Sequence, residues 1–485
     1  MTSELAAQVI CTGFTGTSDV DAPLDRIARL GIRATILFPR NLEHPNQVRN
    51  LTSALQHALG DTMPALIGID QEGGAVARLR DGVVALPSMM ALGATGDIDL
   101  ARRAAHRLGS DLRALGVNLD FAPVLDLALE PCNTVIGTRS FGSDPHRVSE
   151  FGRAFAQGLQ AGGVVPVGKH FPGHGATSTD SHVAQPVVTV DATTLRKRDL
   201  VPFANVIRAG IPAIMTAHVV VPALDPDSPA TMSRAILYDL LREEMQFGGV
   251  VFSDCVEMAA LGEADAAVAP RALRAGVDCI LISHRLDLAE ASIEAIVASV
   301  ESGALSSERL AEAAARMRAL RASIPSNGPY DADAEVGREI ARKAVTIVRG
   351  GIALEARVPV TVISFEQGES ASLSAALRKR GHKSEIMRVS VEPRDDELEL
   401  LAMVLAGMPG RQIVIVMRRA HVHSGQAAAI RRLLQAVPSA ILISAREPYD
   451  AALFETAENL VCIYNDTEVS IEGVADVMTA RSANS

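Results

Sequence analysis

The sequence has no run approaching the roughly 18 uncharged apolar residues that a membrane span needs, although 48% of its 485 residues are apolar. The apolar content is spread along the chain, which excludes a membrane-spanning protein. Cysteine is scarce and unpaired: Cys11, Cys132, Cys255, Cys279 and Cys462 are scattered singly, without the C-x-x-C spacing of zinc or redox sites. They read as reduced, mostly buried thiols. Positive charge is not in excess, since 46 Lys and Arg face 57 Asp and Glu for a net charge of -11. That balance disfavours a broad basic face for a polyanion, so nucleic acid is not an expected partner. The N-terminal MTSELAAQVICTGFTG lacks the basic start, apolar core and small-residue cleavage site of a secretion signal, and the expectation is a cytoplasmic protein. There is no low-complexity tract and no short repeat of the kind that builds a solenoid.

What the sequence does contain, up to about residue 320, is an alternation of short Val/Ile/Leu-rich runs with longer amphipathic segments. That is the pattern of parallel strands buried on both faces and joined by helices. Eight runs are countable: Val9 to Phe14, Ala34 to Pro39, Ala65 to Asp70, Val117 to Ala122, Val164 to His170, Pro212 to His218, Gly249 to Asp254 and Asp278 to His284. Eight strand-helix repeats predict a (β/α)₈ barrel over residues 1–324. Helical segments such as LARRAAHRLGSDLRALG and HRVSEFGRAFAQGLQAGG end at glycines suited to a left-handed cap. Asp70, Asp120, Lys169, His170, His218, Asp254 and His284 collect where the runs stop, the end at which barrel active sites form. The Pro/Gly/Asn/Asp-rich IPSNGPYDADA then reads as a linker, with a connecting helix, over residues 325–345. Four further apolar runs, Thr361 to Phe365, Ile413 to Met417, Ala440 to Ser444 and Leu460 to Tyr464, predict a smaller open-sheet α/β sandwich over residues 346–485.

The segment KHFPGHGATSTDSH, Lys169 to His182, follows the fifth predicted strand. His170 and His174 have the i, i+4 spacing of a helical zinc pair, but Pro172, Gly173 and Gly175 argue against a helix there, and no metal is expected. Asp180 and His182 are two apart, so in an extended segment both project to one side and the carboxylate can hold the imidazole protonated near neutral pH. The competing reading is an Asx or Ser/Thr turn with a solvated histidine. Asp254 likewise has two readings: a nucleophile in the barrel mouth, or the N-cap of a following helix with Glu257 three residues on. Asp70 precedes the tight turn at Gly73 and Gly74, with Arg78 within reach of a ligand, and Glu72 reads equally as an ion-pair partner for a neighbouring arginine. His218 and His284 read as strand-end histidines, either satisfied or near the site.

Taken together, IDQEGG, NLDFAPVLDL, IGTRSFG, KHFPGHG followed by TDSH, MTAHV and FSD resemble glycoside hydrolase family 3, in its β-N-acetylhexosaminidase branch. The ending, with REPYDAALF and YNDTEVS, is similar to the second domain of two-domain members. The resemblance implies that Asp254 is the nucleophile of a retaining, two-step displacement and that the Asp180/His182 pair is the acid/base. It implies that Asp70, Arg78, Arg139, Lys169 and His170, with His218 more weakly, bind the hydroxyls of the terminal sugar. No cofactor is implied. The implied substrate is a carbohydrate bearing terminal β-linked N-acetylglucosamine, for instance a cell-wall fragment as in peptidoglycan recycling. Cys255 and Ala75 depart from the family pattern, where an acidic residue and an arginine are common. A phosphorylase or transglycosylase using the same intermediate is the nearest rival, because a histidine repels incoming phosphate less than a carboxylate does. A non-catalytic sugar-binding protein is the alternative of another class. The sequence leaves the oligomeric state undecided.

Overall fold

The computed structural model describes residues 1–18, 20–177, 185–262, 264–324, 333–366, 371–406 and 409–480. Its first part is a closed barrel of eight parallel strands in sequence order. They are β1 (Ile10–Thr12), β2 (Ala34–Leu37), β3 (Leu66–Ile69), β4 (Leu119–Asp120), β5 (Val165–Phe171), β6 (Ala213–Thr216), β7 (Val250–Cys255) and β8 (Cys279–Ile282). Ile10 lies opposite Ile280, so β8 pairs with β1 and leaves no open edge. The strands are buried on both faces, which is why they read as continuous apolar runs without alternation.

Local signals set the surrounding helices. Asp97 caps the helix Ile98–Ala114 by accepting the Leu100 N–H at 2.9 Å, and Asp144 with Pro145 starts the helix Pro145–Ala161. Gly116 and Gly163, at φ 82° and 90°, turn the chain after each helix into the next strand. The barrel interior is filled, with Phe121 and Phe252 edge to face at 5.6 Å. Met317 and Leu320 from the helix Ser307–Ala322 join this interior cluster. At the start of β8 the buried Asp278 is ringed by Arg242, Arg309 and Arg316, a cluster that ties the strand to two helical segments. The ligand-sized cavity lies at the opposite end of the barrel.

A helix, Val336–Lys343, leads into the second unit. Its six strands are β9 (Thr346–Arg349), β10 (Val360–Glu366), β11 (Ser384–Ser390), β12 (Gln412–Met417), β13 (Ile441–Ser444) and β14 (Asn459–Cys462). The order across the sheet is β9-β14-β13-β12-β10-β11, with β9 alone antiparallel, and an apolar cluster covers each face. The two strands not foreseen, β9 and β11, are the two edges. Each is only partly buried, so neither carries the continuous apolar run of a central strand. The carboxyl ends of β12, β13 and β14 face the barrel. Ser88 Oγ, for example, donates to the Tyr464 carbonyl at 2.7 Å just beyond β14. Among the described residues no helix is long and apolar enough to cross a membrane.

Candidate active site

Asp70, Arg78, Arg139, Lys169, His170 and Asp254, drawn from five separate stretches of sequence, line one cavity of about 520 Å³ at the carboxyl end of the barrel. One wall is a buried ion network. Lys169, on β5, places Nζ 2.7 Å from Asp70 Oδ1 and 2.7 Å from Glu72 Oε1. Arg139 grips the same Glu72 with both arms of its guanidinium, Nε to Oε2 at 2.8 Å and Nη2 to Oε1 at 2.7 Å. Burial opposes charge on Glu72, yet Arg139 and Lys169 more than offset it and hold its carboxyl far below the usual range. Burial likewise works against the Lys169 ammonium, and Asp70 and Glu72 reverse that, raising its pKa. The wall is therefore charged at neutral pH and locked in place, which suits fixed recognition of hydroxyl groups.

His170 is oriented from behind. Its Nδ1 lies 2.6 Å from Asp126 Oδ2, and Arg139 Nη2 approaches Nε2 at 3.4 Å. Because a guanidinium only donates, Nε2 accepts and the ring proton sits on Nδ1, facing Asp126. The other oxygen of Asp126 accepts the His174 N–H at 2.7 Å, so one buried carboxylate organises the start of the histidine-rich segment. His174 also lines the cavity; its Nδ1 meets Thr177 Oγ1 at 2.9 Å while its buried Nε2 has no hydrogen-bond partner among the described residues.

At the end of β7 the Asp254 carboxylate accepts the Cys255 N–H at 2.7 Å. Burial disfavours its ionised form, but His218, His170, the Cys255 amide and Lys169 outweigh burial and hold the carboxyl below its usual range. Burial in turn lowers the pKa of His218 itself. The N-cap reading of Asp254 does not survive. Asp254 is inside β7, and the segment after it is a turn followed by a single 3₁₀ turn, Ala259–Leu261, with the next α-helix starting at Val268. Glu257 instead accepts the His284 N–H at 2.8 Å at the cavity rim, where His284 stacks on Phe38.

His218 stands apart from the other sugar-binding candidates. Its Nδ1 meets Thr231 Oγ1 at 2.7 Å and its Nε2 donates to the Cys255 carbonyl at 2.9 Å, so both nitrogens are used to hold the chain beside Asp254. Cys255, the departure from the family pattern, is a partly exposed thiol whose pKa desolvation pushes up to about 12, which disfavours the thiolate at neutral pH. Asp180 and His182 lie outside the described residues. Sequence reasoning passed over Asp126 and gave Glu72 only its ion-pair role. Asp126 sits inside NLDFAPVLDL, and a second aspartate in that motif, six residues after Asp120, was the available signal. Among the described residues no group of three His, Cys, Asp or Glu side chains is placed to hold a metal.

A filled (β/α)₈ barrel whose carboxyl end presents an ionised, partly exposed carboxylate opposite a rigid wall of paired charges defines a barrel enzyme. Residues 14–320 match the family description Glycosyl hydrolase family 3 N terminal domain. The chain belongs to glycoside hydrolase family 3. A β-hexosaminidase of Nitrosomonas eutropha is 41% identical over 285 residues, covering 57% of this chain and 81% of the relative. A β-hexosaminidase of Pseudomonas aeruginosa is 41% identical over 265 residues, covering 54% and 78%. Among solved structures, the family 3 β-N-acetylglucosaminidase of Paenibacillus sp. str. FPU-7 superposes with a TM-score of 0.91 at 35% identity, covering 100% of this chain and 97% of that one. Both domains are thus shared with that enzyme.

Proposed function

We propose that the protein is a retaining β-N-acetylhexosaminidase that removes terminal β-linked N-acetylglucosamine from glycans. The observation that carries this reading is the placement of Asp254, ionised and only partly exposed, in the same cavity as Lys169, His170, Arg139 and Asp70. Asp254 attacks the anomeric carbon as the bond to the leaving oxygen breaks, and His182, supported by Asp180, gives that oxygen a proton. The glycosyl-aspartate formed is then opened by water, whose proton returns to His182. Asp70, Arg78, Arg139, Lys169 and His170 hold the ring hydroxyls, a positioning role. His218 acts through the Cys255 carbonyl. Cell-wall fragments within the cytoplasm are the proposed source of substrate.

The test is release of nitrophenol from the β-N-acetylglucosaminide by wild type and His182→Ala, with and without phosphate. Turnover by the wild type, sharply reduced by the substitution and yielding free sugar in the presence of phosphate, supports the reading. Sugar 1-phosphate as product would make the enzyme a phosphorylase, and binding without turnover on this substrate or the matching glucoside would replace the enzyme reading altogether.

A further inference from the structure

We propose that the second domain is a positioning element of the active site, acting by bracing the barrel segment 128–139 through Tyr449, His421 and Glu447. This rests on the sugar-binding role given above to Arg139.

The segment follows β4 and carries two residues that matter to the cavity. Arg139 ends its 3₁₀ turn, Gly137–Arg139, and reaches Glu72 and His170. Asn133, buried, donates its amide to the His174 carbonyl at 2.9 Å and to Thr177 Oγ1 at 3.3 Å, and so ties the segment to the start of the histidine-rich stretch. Most of the segment is irregular backbone, with few ladder partners of its own to fix it.

The second domain supplies what the segment lacks. Tyr449 donates its hydroxyl to the Ala128 carbonyl at 3.2 Å. His421 donates Nε2–H to the Pro131 carbonyl at 3.1 Å, while its Nδ1 lies 2.6 Å from the buried Asp450 carboxylate, which fixes the ring. Glu447 is held by the Arg419 guanidinium at 2.9 and 3.1 Å and packs directly on Gly137. A Cβ built on Gly137 would come within 2.4 Å of Glu447 Oε1, and the φ of 41° there also favours glycine. These contacts come from the loops after β12 and β13 and address the segment at three points between Ala128 and Gly137. Two of them use backbone carbonyls of the segment, and the third abuts the residue two before Arg139.

Contact between two domains is by itself only structural. The distinction here is that the braced segment is the one bearing Arg139, whereas the contact of Lys343, on the connecting helix, with Asp97 at 3.1 Å touches no cavity residue. A positioning role therefore predicts a selective effect.

The experiment compares Glu447→Ala, Glu447→Gln, the double variant His421→Gln with Tyr449→Phe, and the control Lys343→Ala, all in the full chain. For the nitrophenyl β-N-acetylglucosaminide, Glu447→Ala and the double variant are expected to raise KM about fivefold or more, since small misplacements of a binding group are costly. kcat should change less than KM. Glu447→Gln, which keeps the packing on Gly137, should restore most of the loss, and Lys343→Ala should match wild type. Hydrogen exchange in segment 128–139 should rise in Glu447→Ala, a readout independent of which substrate the enzyme uses. Wild-type inactivity on the substrate would sink the functional reading but leave the exchange result to judge the brace. Unchanged KM and unchanged exchange in a folded Glu447→Ala, or an equal effect from Lys343→Ala, would overturn the proposal.

Discussion

Glu72→Gln is the sharpest test of the ion network, because it changes one charge and almost no volume. In the wild type the carboxylate is 1% exposed and receives Arg139 Nε, Arg139 Nη2 and Lys169 Nζ at 2.8, 2.7 and 2.7 Å. The amide offers one oxygen and turns its NH₂ towards groups that only donate. Removing one partner of a buried ion pair costs about 3–5 kcal/mol. Lys169 keeps Asp70 at 2.7 Å, which places the expected loss near the lower bound, about 3 kcal/mol. Urea unfolding followed by circular dichroism should show the barrel transition moving to lower denaturant while that of the second domain stays. The pH dependence has a definite sign. Burial raises the Glu72 pKa and the two cations lower it further, so the folded value lies below the ordinary 4.5. Its stabilisation is then fully present above 4.5 and is lost only as pH falls through the lower folded value. The stability gap between wild type and Glu72→Gln should be flat from about pH 8 to about pH 5 and narrow only in more acid solution. A gap under about 1 kcal/mol at neutral pH, or one that grows as pH falls, would refute the network as described.

Three further outcomes follow from single contacts. Asp254→Asn should lower hydrolysis of the N-acetylglucosaminide by a factor on the order of 10³ or more, and a fluorinated sugar inactivator should label Asp254 in the wild type by peptide mass; a label on another carboxylate refutes its role. Asp126→Asn removes the anionic acceptor of His170 Nδ1, a charge-assisted bond worth about 1.5–3 kcal/mol, so kcat/KM should fall roughly tenfold to a hundredfold, measured with the same substrate. For His421, burial lowers the pKa but the Asp450 hydrogen bond and charge, with Glu447 adding, raise it above 6.5 overall. Its contribution to stability is therefore complete below 6.5 and lost as pH rises through the higher folded value, so thermal scans of wild type and His421→Gln should converge towards alkaline pH.

The barrel was legible because its information is local and redundant. Each strand is a short apolar run, each helix an amphipathic segment with its cap, and eight repetitions leave little choice of closure. The edge strands β9 and β11 escaped for the opposite reason: half-exposed strands mix polar residues into the pattern. In the site, residues of unusual type at strand ends, such as Lys169 and Asp254, were visible as candidates. What a sequence cannot carry is the pairing between distant segments. Glu72 draws Arg139 from 67 positions away and Asp126 draws His170 from 44, and neither separation leaves a periodic trace. The helix-cap reading of Asp254 failed similarly, since a spacing of three between Asp and Glu has no meaning where the chain turns before any helix begins.

The network also bears on the proton affinity of Asp254, the proposed nucleophile. Among the influences on Asp254, burial raises its pKa most, and His218, His170, the Cys255 amide and Lys169 lower it. Burial lowers the His218 pKa and the Cys255 amide is a fixed dipole, whereas Lys169 is a full charge that a substitution can remove. Lys169 is in turn restrained by Asp70 and Glu72, so its positive field at Asp254 is partly offset. Lys169→Gln removes the cation and leaves those two carboxylates less compensated, both of which raise the Asp254 pKa. The acid limb of the kcat/KM profile should then move to higher pH, in addition to any rise in KM from a lost contact to the sugar. If Lys169 did no more than bind a hydroxyl, KM would rise and the limb would stay where it is; a limb that stays, or moves to lower pH, rejects the electrostatic coupling.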